Sequence, residues 1–182
     1  MTDWSDIVRQ HGPLVWRTAR RLLSHEADAR DCFQETFVSA WELSCRESIR
    51  HWPAVLKRLT TARALERLRQ RYRFRDRSEP WPETPLQDER APDPTQSVAD
   101  GELAEQLRLA LSDLDQQQAE VFCLSVFEGL AYREIASATG HSVSHVGVLL
   151  HRARKRLQDL METYRPVIQG RPNPSRKCED PS

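Results

Sequence analysis

The chain has 182 residues, 38% apolar and 30% charged, which allows one modest domain or two small ones with small cores. Six glycines and few β-branched runs favour helix over sheet, and no apolar run approaches the roughly 20 residues that cross a bilayer. The 27 Lys and Arg balance 27 Asp and Glu, but unevenly: residues 1–73 hold 14 against 9, 74–101 hold 3 against 7, 102–164 hold 6 against 9, and 165–182 hold 4 against 2.

Segmental charge is more informative than the total, so overall neutrality does not exclude a nucleic-acid partner. Met1–Asp6 is polar and acidic with no apolar stretch after it, so a cytoplasmic protein without a secretory signal and without a membrane partner is expected. Cys32, Cys45, Cys123 and Cys178 form no C-x-x-C pair and read as free thiols, with Cys32 and Cys123 in the core.

Taken in chain order, Trp4, Ile7, Val8, Leu14, Val15, Ala19, Leu22 and Leu23 predict helix over 4–24, with Gly12-Pro13 dividing it into two helices or kinking it. Cys32, Phe33, Thr36, Phe37, Ala40 and Trp41 recur at three and four and predict a helix over 27–43. A third helical block, 52–73, opens at Trp52-Pro53 and carries the stripe Val55, Leu56, Leu59, Ala62, Leu65 and Leu68. From 74 to 101 five prolines mixed with acids predict an extended, mobile linker. Leu103, Leu107, Leu111 and Leu114 then make one stripe, and Ala119, Val121, Phe122, Leu124 and Val126 the next. Helices over 131–138 and 143–162 follow, and the Pro-containing tail 165–182 reads as disordered. The expected fold is all-α: a domain over 1–74 and another over 102–164, joined by a flexible, acidic, Pro-rich linker over 75–101.

The strongest local pattern is a helix-turn-helix between Gly129 and Arg156. Ile135 and Ala136 face inward on the first helix, and Gly140 supplies a turn where positive φ costs least. Ser142 is placed to cap the second helix, and Val146 and Leu150 lock it. Set in a major groove, such a helix presents Ser144, His145 and Gly147 at its leading end, followed by His151. Arg133, Arg152, Arg154 and Lys155, with Arg156, suit phosphate contacts. The bland alternative is an αα-hairpin with a solvated basic face.

Arg63, Arg67, Arg69, Arg71, Arg73, Arg75 and Arg77 crowd fifteen residues opposed only by Glu66 and Asp76, a phosphate-binding density that Arg58 extends. Trp52, Tyr72 and Phe74 lie close in sequence and suit base stacking, although Trp52 equally suits a core. On the preceding helix Asp28, Asp31, Gln34, Glu35 and Glu42 lie opposite Phe33 and Phe37, and Asp31, Gln34 and Glu35, spaced i, i+3, i+4, share one surface. No His, Ser or Cys constellation accompanies these carboxylates, so no catalytic site is expected. His141, His145 and His151 with Cys123 match no zinc spacing, so no metal or other cofactor is expected.

Together these parts resemble the extracytoplasmic-function sigma factors of the sigma-70 family. Asp28–Trp41 is similar to the segment that binds the clamp helices of the largest polymerase subunit, Trp52–Arg73 to the −10 helix, and Leu107–Leu160 to the −35 domain. The resemblance covers nearly all of 4–162, in the family's order. It implies polymerase docking through Asp28, Asp31, Gln34 and Glu35, and −10 contacts from Trp52, Arg58, Arg63, Arg67, Arg69 and Arg71. It implies core RNA polymerase (clamp helices and flap) and promoter DNA as partners, and leaves room for an anti-sigma factor. Two departures stand out. Ala62 replaces an Asn common in the −10 helix, and His145-Val146-Gly147-Val148-Leu149 stands where the family often carries Thr-Val-Lys-Ser-Arg. The rival readings are a free-standing helix-turn-helix regulator that binds duplex DNA as a dimer, and a helical adaptor that binds protein through its acidic face.

Overall fold

The computed structural model describes residues 4–77 and 94–164, and among these every regular element is helical. Helices α1 (Trp4–Leu22), α2 (Glu26–Arg46) and α3 (Trp52–Arg77) form the N-terminal half. Helices α4 (Pro94–Ser112), α5 (Gln116–Phe122), α6 (Tyr132–Thr139) and α7 (Val143–Tyr164) form the C-terminal half, with a turn of π-helix over Cys123–Phe127 extending α5. The all-α expectation and its helix-turn-helix therefore hold.

Of the two arrangements expected at Gly12-Pro13, two helices are not seen: α1 is one helix through Pro13. Proline leaves the carbonyl four residues back without its N–H, but Pro13 is exposed and water can serve that carbonyl. Its neighbours His11 and Gly12 are buried, and a Cβ on Gly12 would lie 3.7 Å from the Phe33 ring. The expected linker is shorter at both ends, because α3 runs on to Arg77 and α4 already starts at Pro94. Proline is at home in a first helical turn, where its missing N–H has no partner to lose. The remainder of the expected linker, 78–93, and the expected disordered tail with Cys178 lie outside the described residues. Finally, Leu103 and Val126, each assigned to an apolar stripe, are about half exposed.

Local chemistry fixes the helix starts. The Ala54 N–H donates to His51 Nδ1 (3.3 Å), and Asp115 accepts from the N–H groups of Gln117 (3.0 Å) and Gln118 (3.4 Å). In the N-terminal half Val15, Ala40 and Leu56 form a buried centre that Trp4, Phe33, Phe37 and Trp52 surround. The rings meet edge to face, Trp4 with Trp52 at 5.4 Å and Phe33 with Phe37 at 5.1 Å, contacts worth about 0.5–1.5 kcal/mol each beyond burial.

The two halves share a core. Leu22, Leu65, Leu68 and Tyr72 pack in one buried cluster with Leu111, Leu114, Ala153 and Leu157. Polar contacts ring this cluster. The Tyr72 hydroxyl donates to Glu105 (2.8 Å), Arg69 to the Leu114 carbonyl (3.3 Å), and Arg108 Nε to the Leu22 carbonyl (3.1 Å). The π turn closes with the Glu128 N–H donating to the Cys123 carbonyl (3.1 Å), which aims Glu128 at the N-terminal half. There its carboxylate meets Arg21 (3.2 Å) and Lys57 (3.7 Å), and its carbonyl accepts from Lys57 Nζ (2.8 Å). Arg21 also donates to the Phe127 carbonyl.

Candidate nucleic-acid interface

The helix-turn-helix is built as its residues dictate. Ile135 and Ala136 are buried with Val121, Leu124, Leu130, Val146, Leu149 and Leu150. Gly140 ends α6 at φ 74°, the left-handed region glycine reaches at least cost. The Ala131 N–H donates to Glu134 Oε2 (2.7 Å), and the His145 N–H donates to Ser142 Oγ (3.2 Å), which is the cap expected of that serine. Helix α7 thus has one buried side, and at 3.6 residues per turn Ser144, His151, Arg152 and Lys155 fall opposite it, with His145 at the edge. All five are exposed, as are Arg133, Arg154 and Arg156. The rings of His141 and His145 meet edge to face at 5.0 Å. Gly147 is half-buried beside the Tyr132 ring. Val148, part of the run that departs from the family pattern but not among the expected contacts, is 44% exposed in the middle of this strip. Its spacing, four after Ser144 and four before Arg152, was the available signal.

The candidate −10 residues do not gather on one face. Arg67 lies against α2, where it donates to Glu35 (2.6 Å) and approaches Asp31 (3.6 Å) and Asp28 (3.9 Å). Arg63 donates to Ser39 (3.0 Å) and lies near Glu66 (3.5 Å). Between α2 and α3, Arg63, Arg67, Glu35 and Glu66, with Gln34 and Gln70, line an open groove of about 480 Å³. Arg69 turns instead to Leu114, and Arg71 to Ser24 (3.2 Å). Arg58 is half-buried close to Glu120. Trp52 is packed on Trp4, and Tyr72 is buried and bonded to Glu105, so Tyr72 is not an open stacking platform.

The expected docking positions Asp31, Gln34 and Glu35 are exposed on α2, with Asp28 half-buried at their N-terminal end. Arg67 ties three of them together, although its own side chain is only 21% exposed. Burial dominates the titration of other groups. It pushes the Cys32 thiol up to about 11, raises Cys123, and holds Glu120 above the usual carboxylate range against the pull of Arg58 and Arg69. Cys32 and Cys123 are therefore inert core thiols at neutral pH, as their apolar surroundings suggested. Among the described residues no cluster of three or more His, Cys, Asp and Glu is placed to hold a metal ion, and no helix is long and apolar enough to cross a membrane.

Two family models match the chain in order, Sigma-70 region 2 over residues 7–74 and Sigma-70 region 4 over 104–157. The RNA polymerase sigma factor YlaC of Bacillus subtilis is 30% identical over 88% of this chain and 92% of its own length. The chain belongs to the ECF sigma factors of the sigma-70 family. ECF sigma factor SigE of Mycolicibacterium smegmatis is 32% identical over 90% of this chain, which spans only 63% of that relative. CnrH of Cupriavidus metallidurans is 30% identical over 87% of the chain and 86% of its own length. Among solved structures, CnrH in complex with the cytosolic domain of CnrY superposes with a TM-score of 0.55 at 26% identity, covering 88% of both chains. The sigma factor RpoE in complex with the anti-sigma factor NepR, from Bartonella quintana, gives 0.52 at 21% identity over 90% of this chain and 99% of that one, a likeness of fold. The boundary between the two matched regions, 75–103, agrees with the break between α3 and α4 in this sigma factor.

Proposed function

We propose that this sigma factor docks on core RNA polymerase through Asp28, Asp31, Gln34 and Glu35, places α7 in the major groove of the −35 element, and uses α3 to capture the −10 element. The observation that carries this reading is the ordered pair of region 2 and region 4 matches, with an exposed cationic strip on the second helix of the helix-turn-helix. Ser144, His145 and His151 would face base edges, and Arg133, Arg152, Arg154 and Lys155 would hold phosphates. Arg63, exposed Arg73 and the start of α3 around Trp52 remain for single-stranded DNA, with Arg58 and Arg69 released to it as the halves part, whereas Arg67 and Arg71 must first leave Glu35 and Ser24 of their own half. The chain makes and breaks no bond in this scheme; the polymerase does the chemistry in the cytoplasm. An anti-sigma factor is a candidate partner, as one similar solved protein, RpoE of Bartonella quintana, is described in complex with one.

The shared core has a consequence for this reading. Elements 25 base pairs apart lie about 85 Å apart on B-form DNA. Lys57, near the start of α3, bonds Glu128 just ahead of α6, so the two candidate readers sit within the length of α3, about 39 Å for 26 residues. The halves must separate before both elements are engaged. A dimeric regulator has no use for a region 2 unit. The test is retention of purified core polymerase on the tagged chain at moderate salt. Saturable retention that a second sigma factor competes away is expected; retention of duplex DNA but not polymerase would point to the regulator.

A further inference from the structure

On the leading half of α7, from Ser144 to Lys155, the exposed side carries Ser144, His145, His151, Arg152 and Lys155, all polar or charged. Among them stands Val148, one turn beyond Ser144 and His145 and one turn before His151 and Arg152. A lone exposed valine ordinarily needs no explanation. This one occupies the centre of the strip that a major groove would cover, where it would face base edges instead of water.

An isopropyl group neither donates nor accepts a hydrogen bond. In the major groove guanine, cytosine and adenine offer only donors and acceptors, whereas thymine adds a C5-methyl group. Placed against cytosine, Val148 would strip water from the N4 amino group and return no bond. Placed against thymine, it would bury methyl against methyl. The same side chain therefore favours one base and penalises the others. Next to it, Gly147 adds no side chain between the strip and the Tyr132 ring, which is 41% exposed and bounds the strip on that side.

We propose that Val148 reads a thymine methyl group in the −35 element, so that an apolar contact supplies specificity where polar base-reading side chains are few. This rests on α7 being the −35 reader. The test starts from holoenzyme assembled from the full chain and core polymerase. Promoters are selected from a pool randomised across the −35 element, and each thymine in the recovered element is replaced in turn by deoxyuridine, which removes only the methyl. One such replacement is expected to weaken holoenzyme binding about two- to fourfold, the value of burying one methyl-sized group. Holoenzyme carrying V148A should no longer distinguish thymine from deoxyuridine there. The proposal fails if no thymine is methyl-sensitive, or if V148A keeps the same sensitivity. A V148A chain that loses affinity for core polymerase would overturn it in favour of a protein contact. Holoenzyme that forms but enriches no −35 sequence would overturn the assignment of α7 itself, a different outcome from the loss of the methyl contact alone.

Discussion

Arg67 of α3 and Arg152 of α7 both belong to basic helices, yet their surroundings are opposite. Arg67 is largely buried and faced by three carboxylates of α2, whereas Arg152 is exposed and has no ion pair among the described residues. The same contrast extends along both helices. Arg58, Arg63, Arg69 and Arg71 lie against groups of their own chain, while Arg154, Lys155 and Arg156 stand in solvent. A run of arginines thus has two uses: the α7 run is an open electrostatic surface, and much of the α3 run is internal adhesive.

The largest effect should come from the acidic side of that adhesive. D31K together with E35K is expected to weaken core polymerase binding at least thirtyfold, about 2 kcal/mol or more, as like charges meet across the interface. D31N with E35Q, which keeps shape, should fall between the two, and circular dichroism should show both variants folded. Equal binding by all three chains would remove α2 from the docking surface.

On the open side, R152A with K155A should lower holoenzyme affinity for promoter DNA about tenfold at moderate salt. The slope of log K against log salt should become shallower by about 2, one for each lost phosphate contact. An unchanged slope would mean that these cations do not touch the backbone.

Where the halves meet, E128A removes a carboxylate that is 8% exposed and faces both Arg21 and Lys57. The expected loss is about 1 kcal/mol of stability, since the Lys57 bond to the Glu128 carbonyl survives. Hydrogen exchange should rise along the contact between α3 and the C-terminal half before it rises in α1 and α2. Uniform change throughout would show that the contact is no separate unit.

The smallest expected effect concerns Glu120. Its carboxyl is held above the usual range chiefly by burial. A carboxyl raised in the folded state contributes most below its unfolded value, and that contribution is lost as pH rises through the folded value. E120Q, neutral throughout, should therefore raise the melting temperature near neutral pH by about 1–2 °C and change nothing in acid. A fall at neutral pH would mean that the attraction of Arg58 and Arg69 outweighs desolvation.

The helix-turn-helix was legible because each step is local: Gly140 at the turn, Ser142 as cap, and Ile135, Ala136, Val146 and Leu150 inward. The acidic face of α2 was legible from i, i+3, i+4 spacing alone. What carries across many residues was not. Nothing near Glu128 in the sequence announces Arg21 or Lys57, and nothing in the arginine run says that Arg67 meets Asp31 while Arg69 meets Leu114. Tyr72 looked like a stacking surface beside arginines, and only the packing of the two halves shows it buried and bonded to Glu105.

The most direct test of the account is transcription reconstituted from core polymerase, this chain and a library of linear DNA with randomised upstream sequence. The account predicts discrete transcript starts that require the chain, with two enriched elements near −35 and −10 of those starts. Starts that are unchanged by adding the chain, or that share no upstream elements, would contradict it.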